Sequence, residues 1–376
     1  MEEFKKYKFG DIVNILDSKR IPLSATQREN RKGIYPYYGA QGIIDYIDDY
    51  IFDGTYLLIA EDGENLKSQK NNIAQIAIGK YWVNNHAHIV ESNGSCDIRY
   101  ICYLLNKIDI SGYITGSAQP KLNQANLQSI ELSLPSLTVQ KRIADYIDLF
   151  DSKISLNRRI NDNLEQQAQL LFDNLIDASD WSMTQSLSEL SEINPPRKLS
   201  KGENAPFIEM SNMPTSGSFP ARIDFKEYNG GMKFRNGDTI MARITPCLEN
   251  GKAAYVNFLQ GNEIGFGSTE YIVLAPKKTI SSSFLYFLVR NKEFVDYAVK
   301  HMNGSSGRQR VSGDTIGNYQ LPILDRKKLS IFIAIADRTL TIIKQNSFEI
   351  LNLVKQRDTL LPKLMSGELK INDLNC

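Results

Sequence analysis

The chain has 376 residues, enough for two separate cores of roughly 150 residues each without disulfide or metal staples. Hydrophobic residues make up 42% and charged residues 23%, an ordinary globular composition that excludes disordered and fibrous classes. With 44 Lys and Arg against 43 Asp and Glu the formal charge is +1, so any nucleic-acid partner must be argued from local features.

Met1 to Lys8 alternates charge with single aromatics, and no window approaches 18 uninterrupted apolar residues. The expectation is a cytoplasmic protein with no targeting segment and no membrane partner. The next feature is Tyr35-Pro36-Tyr37-Tyr38-Gly39-Ala40-Gln41-Gly42, read as a Gly/Pro loop preceded by Arg28, Arg31 and Lys32. Cations there suit phosphates and Gln41 suits a base edge, which makes Arg28, Arg31, Lys32, Tyr37, Tyr38 and Gln41 candidate DNA contacts. The competing reading is that some of these tyrosines pack the core. Thr55 to Ala60 is a strand signal; His86 and His88, two apart, share one face of a further strand, where a structural role outweighs metal ligation. Ile98 to Leu105 has helical spacing, and Gly116-Ser117-Ala118-Gln119-Pro120-Lys121 is a flexible loop offering Gln119 and Lys121.

From Ser136 to Ile176 the sequence is free of Gly and Pro, and Ile143, Ile147, Phe150, Ile154, Asn157, Asn161, Leu164, Ala168, Leu171 and Leu175 keep a 4-3 heptad rhythm. At a constant offset of 189 residues a second seam runs Phe332, Ala336, Thr339, Ile343, Asn346, Ile350, Leu353, Arg357, Leu360 and Leu364. Matching seams favour two long helices that pair with each other, through Ile147, Ile154, Asn157, Leu164 and Leu171 on the first and Ile343, Asn346, Ile350, Leu353 and Leu360 on the second. Asn157 and Asn346 are candidate register pins near the crossing midpoint. The expected domains are 1–137, a helix over 138–178, a second globule over 179–324, and a helix and tail over 325–376. Because globule and helix alternate, paired helices must be antiparallel, and a helix of about 38 residues spans ~57 Å. Such a two-headed shape, with an approximate two-fold, suits two separated half-sites on duplex DNA.

Between the helices, Ser283 to Val299 is helical and Tyr271 to Leu274 a strand. Gly304-Ser305-Ser306-Gly307-Arg308-Gln309-Arg310 is the counterpart of the loop at Gly116, and Ser305, Ser306, Arg308, Gln309 and Arg310 join the candidate DNA contacts, with Arg197 and Lys198. Catalytic chemistry is poorly supported. Asn194-Pro195-Pro196-Arg197 is similar to an adenine-methyltransferase tetrad, but Arg197 stands where an aromatic ring should stack. Gly265-Phe266-Gly267 precedes a strand rather than a helix, Gly251-Lys252 lacks the upstream glycine of a phosphate loop, and Cys96, Cys102, Cys247 and Cys376 form no C-x-x-C pair.

The chain resembles the specificity subunits of type I restriction–modification systems over nearly its whole length. The resemblance rests on Tyr37 to Ile44, on Trp82-Val83-Asn84-Asn85-His86-Ala87-His88, on both glycine/basic loops, on Pro135-x-Leu137-x-x-Gln140, and on Leu360-Leu361-Pro362-Lys363-Leu364-Met365-Ser366-Gly367-Glu368-Leu369. It implies an α+β fold with a pseudo-two-fold internal repeat: two strand-rich target-recognition domains joined by two long antiparallel, coiled-coil-like helices. It further implies a non-catalytic subunit that reads a bipartite target in double-stranded DNA, docks two methyltransferase subunits and serves restriction/translocase subunits. No cofactor is expected in this chain; S-adenosylmethionine and ATP belong to the partner subunits. The second copy departs from the pattern at Lys327, where the resemblance expects glutamine. Two alternatives stay open: a two-headed protein–protein scaffold, and a specificity module of a nuclease–methyltransferase fusion. Residues 1–137 carry 14 basic and 16 acidic side chains and residues 179–322 carry 16 and 14, so neither globule is globally basic.

Overall fold

Two helices of 41 residues each organise the chain, in a computed structural model that describes residues 4–116, 119–305 and 307–374. In chain order the first half runs β1 (Lys5–Lys8), α1 (Phe9–Ile12), β2 (Val13–Ile15), α2 (Ala25–Glu29), β3 (Lys32–Gly39), β4 (Gly42–Ile47), β5 (Phe52–Ala60), α3 (Asn65–Ser68), β6 (Ala74–Val83), β7 (Ala87–Ser92), α4 (Ile98–Leu105), α5 (Gln124–Ser129), β8 (Glu131–Leu134) and the long α6 (Leu137–Asp177). The second runs β9 (Thr184–Ser186), α7 (Leu187–Leu190), β10 (Ser191–Ile193), β11 (Asn204–Ile208), β12 (Asp224–Glu227), β13 (Met232–Phe234), β14 (Thr239–Ala242), β15 (Ala253–Tyr255), β16 (Gly265–Gly267), β17 (Tyr271–Pro276), α8 (Ser282–Arg290), α9 (Lys292–Lys300), α10 (Gly313–Gly317), β18 (Gln320–Pro322) and the long α11 (Arg326–Ser366). Residues up to Ser152 together with those from Val354 onward form one compact unit, and Lys153–Leu353 form the other.

In the first unit β1 pairs with β8, and the remaining strands form one sheet in the order β2-β7-β5-β6-β3-β4. All neighbours are antiparallel except β3 and β6. In the second unit β9 pairs with β18, an antiparallel sheet runs β10-β17-β14-β15, and a second sheet runs β12-β11-β16-β13. The first four-strand order reproduces β2-β7-β5-β6 element for element, and the β11–β12 hairpin, like β3–β4, joins its neighbour through a parallel pair. The internal repeat is therefore one of topology, not only of helix seams. The segment expected as one helix over Ser283 to Val299 is two, because Asn291 adopts an extended conformation and its side chain caps α9 by accepting from the Phe294 amide.

The first long helix starts on a closed joint. Gln140 is 2% exposed; its side chain accepts from the Asp97 amide at 3.1 Å and donates to the Pro135 carbonyl at 2.9 Å, tying the first turn of α6 to the N-cap of α4. Within the first unit, Ile143, Ala144 and Ile147 of α6 bury against a core that also holds Leu361, Leu364 and Met365 of α11. Asp151 accepts from Arg357 at 2.5 Å beside it. Within the second unit, Asn346 donates to Asn161 at 2.8 Å, Asn157 to Glu349 at 2.8 Å, and Asn161 to Ser347 at 3.4 Å. Both units thus show the two helices antiparallel. Asn157 and Asn346 do not bond each other; each meets a residue one turn along the partner.

The heptad seam holds for three heptads, slips at Leu171 and Leu360, and is buried again at Leu175 and Leu364. Ile147, Ile154, Asn157 and Ile343 are buried, and Leu164, Asn346, Ile350, Leu353 and Leu360 are half-buried. Leu171, expected at the seam, is instead 41% exposed, and Phe172 is the buried residue at 0%. In the second helix the inward position is Leu361 at 3% rather than Leu360. A straight helix drifts by about 20° per heptad from a 3.5-residue repeat, so four heptads accumulate ~80°, close to the 100° of one residue. The helix ends are fixed by globular cores, not by a supercoiled partner, so the drift is not wound out. Phe172→Ala should therefore cost about 3–5 kcal/mol of unfolding free energy while Leu171→Ala stays within about 0.5, a contrast that urea denaturation resolves.

Candidate nucleic-acid interface

The end of β5 is the centre of the first unit's loop cluster. Glu61 donates its amide to the His86 carbonyl at 2.9 Å, and its carbonyl accepts from Leu122 at 2.8 Å. Lys121 forms backbone bridges with both Asp62 and Thr115, and Gly63 donates to the Pro120 carbonyl at 3.1 Å. These bonds fasten the loop carrying Gln119 and Lys121 onto β5. Gly116 is required there: its φ is +83°, and a Cβ would meet the Gln119 carbonyl at 2.2 Å. Gln41 at the tip of the β3–β4 hairpin lies beside Gly63, so the hairpin tip and the basic loop belong to one cluster.

Beneath this cluster lies an ion network. Arg20 bonds Glu61 at 2.7 Å and Asp17 at 3.4 Å, Lys121 bonds Glu61 at 3.2 Å, and His88 reaches Asp17 at 2.5 Å and the Leu122 carbonyl at 2.7 Å. Burial pushes the Asp17 carboxyl up, but the hydrogen bond and charge of His88, with the Ile89 amide and Arg20, bring it below the usual carboxylate value. Donor atoms of Asp17, Glu61 and His88 lie within 4.8 Å of one another, the spacing of a metal site. Arg20 and Lys121 already supply the positive charge these carboxylates face, and both His88 nitrogens are engaged, so the group acts as a brace under the loop.

The tyrosine segment is a strand pair, not a loop, and this corrects its expected role. Tyr37 is 0% exposed, and its hydroxyl accepts from the Leu23 amide at 2.9 Å, so it cannot meet DNA. Tyr38 is half-buried and packs edge-on against Tyr81 at 5.4 Å. Arg28 lies over the Tyr37 ring and bonds Asp45 at 3.3 Å, Lys32 bonds Asp45 at 2.7 Å, and Arg31 bonds Asp48 at 2.9 Å over Trp82. Gln41 is exposed with no side-chain hydrogen bond among the described residues.

The second unit repeats the arrangement bond for bond. Arg243, following β14 as Glu61 follows β5, donates its amide to the Glu270 carbonyl at 3.0 Å, and its carbonyl accepts from Val311 at 3.0 Å. Arg310 forms backbone bridges with Ile244 and Asn303, as Lys121 does with Asp62 and Thr115. Its guanidinium takes both oxygens of Glu270, at 2.7 and 3.0 Å, which holds the Glu270 carboxyl below its ordinary value. Ser305 and Arg308 are exposed, and the Gln309 carbonyl accepts from the Thr245 amide at 3.0 Å. Ser306 lies outside the described residues.

Arg197 also needs correction. Its side chain is 7% exposed and bonds Asp238 at 3.0 and 2.6 Å, while Asp238 also accepts from the Arg235 amide. Asn194, with φ +52°, exchanges two hydrogen bonds with Val273. The tetrad is a bracket inside the unit, and Lys198 alone of the pair is exposed. Sequence reasoning missed Glu61, Arg243 and Glu270. The signal was present: Glu61 and Arg243 are each the first charged residue after a buried run, Leu57 to Ala60 and Thr239 to Ala242.

Both loop clusters sit in segments matched by the family model for the type I restriction modification DNA specificity domain, which covers residues 1–166 and again 178–352. The chain belongs to that family. It is 33% identical over 148 residues to the type I restriction enzyme EcoAI specificity subunit of Escherichia coli, a match spanning 38% of this chain and 25% of that protein. The type I restriction enzyme MjaIX specificity subunit of Methanocaldococcus jannaschii is 25% identical over 99% of this chain and 98% of its own. Local matches to four type I specificity subunits span about a quarter to a third of those relatives' own length. The S subunit of a type I restriction–modification system from M. genitalium has the same fold, with a TM-score of 0.64 at 14% identity over 96% of both chains.

The geometry separates brace from surface. Arg197→Met leaves Asp238 buried and unpaired and should cost about 3–5 kcal/mol of stability. Lys198→Met, at an exposed neighbour, should stay within about 0.5 in the same urea titration.

Proposed function

We propose that this chain is the DNA-reading, non-catalytic subunit of a type I restriction–modification complex, each head contacting one half of a bipartite duplex target. The observation that carries the reading is the duplicated loop cluster: a glycine-containing basic loop sewn to the end of a buried strand, once in each half of a family whose model describes DNA specificity. Gln41 and Gln119 in the first cluster, and Ser305, Arg308 and Gln309 in the second, are the side chains offered to DNA, while Lys121 is held by Glu61. Arg28, Arg31 and Lys32 then shape the first hairpin through their acidic partners rather than leading the contact.

The partners follow from the same reading. Two methyltransferase subunits carry S-adenosylmethionine and dock on the long helices, and restriction/translocase subunits carry ATP. Exposed Leu149, Leu156, Leu170, Ile331 and Ile335 on those helices support a docking role, because outward apolar side chains on paired helices ask for cover. No helix among the described residues is long and apolar enough to cross a membrane, and we place the complex in the cytoplasm.

Mapping adenine methylation in a host carrying the intact system tests the proposal. The expected result is a bipartite motif with a nonspecific gap; methylation independent of this chain overturns it. Duplex affinity of the assembled complex should fall steeply between 50 and 200 mM salt through counterion release. Arg308→Ala should lower the slope of log affinity against log salt by about 1 if that side chain meets a phosphate, with the thermal midpoint unchanged.

A further inference from the structure

The repeat superposes Glu61 on Arg243 by identical backbone bonds, yet the two residues carry opposite charge. In the first unit Glu61 is neutralised by Arg20 and Lys121. In the second, the position of Lys121 is held by Arg310, whose counter-ion has moved to Glu270, the residue matching His86. Arg310 occupies both Glu270 oxygens, so Arg243 is left as a surplus cation beside a completed pair. Its charge is felt by Glu270, but no side-chain acceptor bonds it among the described residues, and its Nε is closed to solvent without a hydrogen-bond partner. Such a group is costly to hold half-buried in an isolated protein.

Its placement is equally specific. Arg243 follows the buried strand β14, and its amide and carbonyl are each tied to a neighbouring segment, Glu270 on one side and Val311 on the other. The backbone is therefore fixed at the floor of the cluster, while Arg308 is exposed on the loop. A partly desolvated guanidinium carried on a fixed backbone is suited to a pair of in-plane acceptors, whereas exposed flexible cations are suited to phosphates. In the major groove the matching acceptor pair is O6 and N7 of guanine.

We infer that Arg243 is the specificity-determining residue of the second recognition domain, donating to the O6/N7 edge of a guanine in its half-site. The inference rests on the proposed DNA reading and adds a residue and a base to it. The test uses the full chain assembled with its methyltransferase partners, with adenine methylation mapped for wild type, Arg243→Ala, Arg243→Lys and Arg308→Ala. Arg243→Ala should reduce discrimination at one guanine position of one half-site by about 5- to 150-fold and leave the other half-site unchanged. Arg243→Lys keeps the charge and a wild-type thermal midpoint but not the fork, and should relax the same position; Arg308→Ala should relax none. Unchanged base preferences in both Arg243 variants, or an even loss at all positions, overturn the inference while the wild-type bipartite map leaves the DNA reading standing. A wild-type map without a bipartite motif overturns the reading itself.

Discussion

Both units depend on one constraint: each core is completed by the start of one long helix and the end of the other. Ile143, Ala144 and Ile147 meet Leu361, Leu364 and Met365 in the first, and Ala168, Phe172 and Leu175 meet Phe332, Ala336 and Leu340 in the second. Burying a Leu, Ile, Phe or Met side chain contributes about 1.5–3 kcal/mol, so the larger members of each group are a large part of its unit's stability. The two helices both pack on the globules and pair with each other, in different parts of their length. Apolar ends serve the globules, and the polar middle, with Asn157, Asn161 and Asn346, serves the partner helix.

The long helices were legible because their composition is unambiguous: no Gly or Pro from Leu137 to Asp177, a sustained apolar rhythm, and a second copy at constant offset. Their register was legible only locally. A seven-residue template predicts Leu171 and Leu360, and the burial of Phe172 and Leu361 records the helix keeping its own 3.6-residue period. The strands of the second half were harder, since three-residue pieces such as Gly265–Gly267 carry too little alternation to be told from turns.

The candidate site was half legible, for an electrostatic reason. Sequence marks cations but not their counter-ions, and Arg28, Arg31, Lys32, Arg197 and Arg310 each found a carboxylate. The near-zero charge of each globule is the sum of these internal pairs. What remains for a partner is the residue left over once pairs are formed, and that subtraction needs coordinates. Arg243 shows the point: its place after an apolar run is legible in sequence, but that it is left over shows only once Arg310 has claimed Glu270.

The closure of the first core by α11 has a consequence for synthesis. Arg142 bonds Asn372 across 230 residues of chain, and Asp151 bonds Arg357 across 206. Translation proceeds at about 5–20 residues per second, so the first head waits many seconds for Leu361 and Leu364, holding Ile143 and Ile147 without their cover. The second unit needs only Lys153 to Leu353 and is the first able to close. The part of the protein made first is therefore finished last, and a nascent first head is the species most in need of protection from aggregation.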